Sequence, residues 1–375
     1  MDKRIDFDQI NRAMENAGLS QADIARHLTV SRESVRKWLS GESFPRPDKL
    51  LRLGKLLELG FSELVIREEA HPPIVAFRKM RGTKTKEHHI DRAQTMGRML
   101  RHLVQYLPFD VLSMPPVLKE PHSHYEYLQK VVQLVRQEIM VEANETIDFH
   151  HLIRQFNKLQ AVIIPVLWGS KQRHENATHI HLPDSQTTWV YLNLDVNVHD
   201  FKFWMAHELG HCLAPQLRGD EAEDFADAFA GTLLFPHELA SSAYKKIARL
   251  PDEQEKLREI MALAKTHIIS PLTIYKQINF YAASFKQKEL DLEPKIHAWI
   301  TRFNKGYLNV SNTLFENEMP PESATYIEVS ADIFETPFFE MLRKYLKDQH
   351  KSPGFVQTVM DIPLLDARSL HDALT

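Results

Sequence analysis

The apolar positions of this chain change their period along its length. From Phe7 to Leu57 they recur three and four residues apart: Phe7, Ile10 and Met14; Ile24 and Leu28; Val35, Trp38 and Leu39; Leu50, Leu53, Leu56 and Leu57. That spacing puts them on one face of short amphipathic helices. The punctuation agrees, with Gly18 after the first run, Ser20 and Ser31 as N-caps of the next two, and Gly41 and Pro45 closing the third. About five short helices are expected over 6–62. Pro72-Pro73 then interrupts the chain, a helix is expected from Asp91 to Tyr106, and Pro115-Pro116 breaks it again. Helices through Val131–Ile139 and Phe149–Lys158 precede a change of period. Ala161–Trp168 is a β-branched run, with Pro165 pushing it towards a sheet edge, and Ala177–Leu182 and Thr187–Leu194 fit two further strands. Helical spacing returns at Pro251–His267, Pro271–Ser284, Ile296–Phe303 and Phe338–Leu346. The expected fold class is α+β and mostly helical: an all-α N-terminal domain, then a small sheet among helices, then a helical C-terminal region. The divisions fall at 1–66, 67–120, 121–285 and 286–375.

One apolar helical stretch carries chemistry. Phe203-Trp204-Met205-Ala206-His207-Glu208-Leu209-Gly210-His211-Cys212-Leu213 contains His-Glu-x-x-His, expected on a helix starting near Asp200. Residues four apart share a helix face, so His207 and His211 point the same way and two imidazoles can hold one divalent metal, zinc above all. Glu208, beside His207, is placed to take a proton from a water. A catalytic zinc needs a third protein ligand, and the next helix offers one. In Asp220–Ala230, Glu223 and Asp227 again lie four apart on one face, with the small Ala226 and Ala230 allowing close helix packing. Glu223 is the expected third ligand, and Asp227 the carboxylate that orients a ligand histidine through its other ring nitrogen. His179 and His181 alternate onto one face of their strand. A polar pair of that kind is expected to face solvent, with the cleft, and an oxyanion there, as its other destination. Cys212 is expected to be a buried structural thiol.

The run Ala206–Leu213, followed by Glu223-x-x-Ala226-Asp227-x-Phe229-Ala230-x-x-Leu233-Leu234-x-Pro236, resembles the ImmA/IrrE family of metallopeptidases, from about residue 125 to 285. The resemblance implies a zincin-like peptidase domain with Glu223, rather than Glu221, as the ligand. The family more often has Asn at the position of Asp227, which leaves the ligands untouched. It also implies cleavage of a helix-turn-helix repressor that relieves repression, in a bacterial or prophage setting.

At the other end, two short helices joined by Thr29-Val30, the second polar and basic on one face, have the layout of a helix-turn-helix. Leu19-Ser20-Gln21-x-x-Ile24-Ala25 and Val30-Ser31-x-x-x-Val35-x-x-Trp38-x-x-Gly41 resemble the XRE (Cro and phage-repressor-like) family, with Thr29 where that turn usually carries Gly. On that template Arg32, Glu33 and Lys37 face base edges, Ser31 and Arg36 lie beside them, and Gln21 meets a phosphate. Val35, Leu39 and Trp38 are expected in the core.

Composition narrows the partners. The net charge of −4 gives no global signal for nucleic acid, but Arg26–Lys55 holds eight Lys and Arg against three Asp and Glu. That local excess favours contact with phosphates of a double-stranded operator. The further basic run Arg78-Lys79-x-Arg81-x-x-Lys84-x-Lys86 is expected to be a solvated linker, with an arm along the DNA as the alternative. A single cysteine excludes an internal disulfide and suits a reducing cytoplasm, and no apolar run reaches membrane length. The opening MDKRIDFDQI is too polar for a secretory signal. The functional expectation is a DNA-binding transcriptional regulator, dimeric by analogy with readers of palindromes, joined to a zinc-dependent endopeptidase that acts on a repressor-type protein. The alternative is a non-proteolytic regulator, or the antitoxin of a toxin–antitoxin pair, whose peptidase-like domain binds a partner or signal.

Overall fold

The computed structural model describes residues 3–57, 59, 64–67, 72–76, 87–108, 117–169, 176–316 and 318–375. The basic run at 78–86, Pro115-Pro116 and part of the expected fifth N-terminal helix lie outside them. The chain forms two compact units, Met1–Pro72 and Pro73–Thr375. Among the described residues no helix is long and apolar enough to cross a membrane.

In the first unit, caps and apolar stripes act together. The elements are β1 (Lys3–Ile5), α1 (Phe7–Ala17), α2 (Gln21–Leu28), α3 (Arg32–Leu39), α4 (Pro47–Leu57) and β2 (Val65–Arg67). Asp6 caps α1 by accepting from the Gln9 amide at 2.9 Å, and Gly18 ends it in the left-handed region at φ 64°. Ser20 and Asp23 form a reciprocal capping box on α2, and Ser31 Oγ accepts from the Ser34 amide at 3.0 Å to start α3. The stripes converge on a core of Ile10, Ile24, Leu28, Val35, Trp38, Leu39, Leu50 and Leu53. Val35, Leu39 and Trp38 are buried as their spacing predicts. The antiparallel pairing of β1 with β2, Arg4 opposite Ile66, has no counterpart in the sequence pattern, because three-residue strands carry no readable alternation.

The second unit runs β3 (Ile74–Ala76), α5 (Glu87–Leu100), a 3-10 turn Arg101–Tyr106, α6 (Tyr125–Glu138), α7 (Phe149–Lys158), β4 (Ala161–Val166), β5 (Ala177–Leu182), β6 (Thr187–Asn193), α8 (Val198–Leu213) and α9 (Gly219–Leu234). It continues with α10 (His237–Ile247), α11 (Glu253–His267), α12 (Pro271–Ser284), α13 (Lys295–Asn304), α14 (Val310–Leu314), α15 (Ser323–Ile333), α16 (Phe338–Asp348), α17 (Pro353–Met360) and α18 (Leu364–Leu374). The fold is α+β and mostly helical. Its four-stranded sheet has the order β3-β5-β6-β4, with β4 parallel to β6 and the other pairs antiparallel. β4 is an edge strand, where a Pro165 without an amide proton is tolerated. Both faces of the sheet are covered, and every residue of β4 is buried.

One hydrophobic core spans the unit, from Ala93 and Leu103 through Trp189, Phe229 and Ile278 to Phe338, Val356 and Leu374. Residues 286–375 are thus built into the same core as the sheet. Their side chains also serve the edge strand, since Thr336 Oγ1 donates to the Ile163 carbonyl at 2.5 Å and the Tyr326 hydroxyl donates to that of Pro165.

Candidate functional site

α8 lies in the middle of this core and is buried on almost every side, as an apolar run without amphipathic spacing requires. Asn197 starts it, its side chain accepting from the His199 amide at 3.1 Å. α9 packs along it, and Gly210 sets how close the two helices come. A Cβ there would lie 3.1 Å from the Ala226 Cα and 3.2 Å from Phe229 Cδ1. This close approach brings Glu223, one turn before Ala226, up to the histidines of α8.

His207, His211 and Glu223 form the one group of candidate metal ligands among the described residues. The Nε2 atoms of His207 and His211 are 3.1 Å apart, and each lies 3.4 Å from a Glu223 carboxylate oxygen. Ligand atoms about 2.0–2.1 Å from one tetrahedral zinc stand roughly 3.3–3.4 Å from each other, so these three fit a single ion. The donor set, two imidazoles and a carboxylate, is that of catalytic zinc sites with one position left open. Asp227 Oδ1 is 3.0 Å from His207 Nδ1, so the carboxylate fixes the ring with Nε2 turned towards Glu223. The buried Glu208 Oε2 has no hydrogen-bond partner, and Glu223 Oε2 meets His207 Nε2 only at the 3.4 Å of two ligands of one ion, which suits a site completed by a cation and a water.

The electrostatics follow from burial. His207, Glu208 and His211 are only 1%, 3% and 5% exposed, and the Glu223 side chain 11%. Burial pushes the Glu208 carboxyl up to about 8, a rise that the neighbouring Glu223 adds to and His207 opposes. Burial also opposes charge on His207, but Asp227 and Glu223 outweigh it and bring the imidazole up to about 9. The His211 imidazole is held below its ordinary value by burial, and burial raises the Cys212 thiol.

His179 departs from the solvent-facing placement its alternation suggested. It is 3% exposed, with Nδ1 4.0 Å from Glu208 Oε2 and 4.0 Å from Cys212 Sγ, and its ring centroid is 5.6 Å from that of His211. Alternation tells which residues share a face but not which face is buried, and here α8 covers it. Burial keeps the imidazole well below its ordinary value, hence neutral. His181, also away from open solvent, is half-buried with Nδ1 3.2 Å from Thr188 Oγ1.

In the first unit, Arg32, Glu33, Arg36 and Lys37 are exposed along α3, and Gln21 is half-buried at the start of α2. Ser31 is committed to its cap and also shares a 2.8 Å hydrogen bond with Ser34 Oγ. Arg36 is engaged within its own unit: its guanidinium donates to Glu33 at 2.8 and 3.0 Å and to Glu42 at 2.9 Å. These bonds hold Arg36 charged and lower both carboxyls. The turn residue Thr29 adopts the left-handed region, φ 52° and ψ 56°.

Residues 8–64 match the protein-family model described as a helix-turn-helix domain. No curated protein and no solved structure matches the chain. The N-terminal unit is therefore a helix-turn-helix domain, which supports a role for the chain as a DNA-binding regulator.

Proposed function

We propose that this chain is a DNA-binding transcriptional regulator whose second unit is a zinc-dependent endopeptidase acting on a repressor-type protein. One observation carries the enzymatic half: His207, His211 and Glu223 converge at single-ion spacing, with the unpartnered carboxylate oxygen of Glu208 buried beside them. Bound there, zinc would supply a Lewis acid that polarises a peptide carbonyl and makes water a nucleophile near neutral pH. Glu208 accepts the proton of the attacking water and returns it to the departing amine. Its raised affinity for a proton would fall beside a bound cation, leaving a carboxylate able to serve as the base. Asp227 holds the His207 ring in place, and neutral His179 is a hydrogen-bond partner for polar groups gathering near Glu208. Charge on the exposed face of α3 suits it to an operator.

The test combines metal analysis with cleavage. Native protein purified without added metal should carry about one zinc per chain, and Glu223→Ala far less. Glu208→Gln should keep the zinc and lose cleavage of a co-expressed helix-turn-helix repressor by at least a hundredfold, the scale of a lost general base. A native chain that binds zinc, yet leaves every candidate intact, would leave the non-proteolytic regulator or antitoxin as the reading.

A further inference from the structure

A peptide substrate most simply enters a site of this kind as an added strand, its backbone pairing with an exposed sheet edge next to the reactive groups. The strand that bears such groups here is β5, through His179. One edge of β5 pairs with β6, and the other is taken by β3, whose residues Ile74, Val75 and Ala76 lie antiparallel opposite His181, Ile180 and His179. Opposed residues share a face of the sheet, so the small Ala76 is on the side of His179, towards α8 and Glu208. β3 also comes close to α9, the helix carrying Glu223, and so bridges the two elements that flank the site. A second element holds it there: a Cβ at Gly97 of α5 would lie 2.6 Å from Pro73 Cβ and 3.1 Å from Ile180 Cγ2. Pro73, just before β3, and Ile180 of β5 thus both lie against the same point of α5. The near-complete burial of His207, Glu208 and His211 accords with a site covered in this way.

We propose that the edge of β5 is the substrate-binding groove, suited to an extended apolar peptide with a small residue opposite His179, and that residues Ile74–Ala76 of this same chain occupy it and close the site. The inference rests on reading the second unit as a peptidase and names how that site is regulated. Among the described residues only Ile74–Ala76 of β3 pair with β5, so a peptide pairing along all of Ala177–Leu182 would make more backbone bonds and displace them. It follows Pro72, the last residue of the helix-turn-helix unit, so the cover and the DNA-binding head are neighbours in sequence.

The single cysteine supplies a test that needs no catalysis. Cys212 is 4% exposed, next to His211 and near His179, and should react slowly with dithiobisnitrobenzoate in the metal-free native protein. Val75→Asp, which puts a charge where Val75 packs on the core, and Gly97→Ala, which pushes on Pro73 from α5, should each speed labelling at least tenfold. Both should also speed deuterium exchange of the amides of 177–182, and with zinc bound both should cleave unfolded casein faster than the native chain. Gly97→Ala decides the matter if Val75→Asp fails to fold. Faster labelling and exchange with no cleavage by a zinc-loaded chain would leave the cover standing and overturn the peptidase reading instead. Unchanged labelling in a folded variant, or a native chain that already cleaves casein as fast as the variants, would overturn the cover.

Discussion

Two side chains stand where their chemistry is at odds with their surroundings, and each makes a measurable difference. Thr29 holds a left-handed backbone at φ 52°, a region that disfavours β-branched residues. It is exposed, so a glycine there gives up no packing. Thr29→Gly should raise stability by about 0.5–1 kcal/mol, the relief of strain less the extra freedom of the unfolded chain, read as a higher urea midpoint. Lys202 is fully buried in α8, its Nζ donating to the carbonyls of Ile147 at 2.8 Å and His267 at 2.9 Å. Burial lowers its affinity for a proton from 10.5 to about 8. Between those two values the unfolded chain holds a proton that the folded chain has released, so folding stability rises with pH through that window. The gain should approach roughly 3 kcal/mol at its upper end. Urea unfolding from pH 7.5 to 10.5 should show this rise in the native chain and lose it in Lys202→Met.

At the scale of elements, the cations of α3 differ in how tightly they are held. Arg36 is hydrogen-bonded to Glu33 and Glu42 at 2.8–3.0 Å, whereas Lys37, equally exposed, reaches Glu33 only at 4.0 Å, and Arg32 is exposed on the same helix. Replacing Lys37 by Ala should lower the slope of log K against log salt by about 1, as one lost phosphate contact does. Arg36→Ala should change the slope by less than half as much, and equal slopes would contradict this division of roles. The two helices that build the candidate metal site were legible because their signal is local: His207 to His211 and Glu223 to Asp227 are each one helical turn. The partner of His207 follows from the same periodicity, as Asp227 sits one turn beyond Glu223. β3 was not legible. Three residues after a Pro-Pro step look like linker, and only the far-off edge of β5 makes them a strand. His179 was misplaced for a related reason, since burial of its face is decided by α8, which lies beyond the next strand.

For the whole molecule, the C-terminal ninety residues were the least legible part, with ordinary helical spacing and no chemical motif. Their role in the fold rests on contacts far apart in sequence. Besides Thr336 and Tyr326 on β4, the Trp168 indole donates to the Met360 carbonyl at 2.9 Å and the Tyr191 hydroxyl to that of Val359 at 2.6 Å. A chain ending at residue 285 keeps every candidate metal ligand but uncovers Ala161–Val166, an apolar edge strand with unpaired carbonyls. Such edges template pairing between copies. The shortened chain should therefore be found in the insoluble fraction, and light scattering of refolded material should show oligomers in place of a smaller folded enzyme.

The same edge strand has a history during synthesis. Residues 161–166 leave the ribosome well before Tyr326 and Thr336, the side chains that will satisfy their carbonyls. At roughly 5–20 residues per second, the separations of 161 and 173 residues take about eight to thirty-five seconds to make. For that interval each nascent chain carries a sticky, unfinished sheet, and neighbouring chains on one messenger carry it together. Chaperone occupancy of nascent chains should rise once Ala161–Val166 has emerged and fall only after the last three helices are complete.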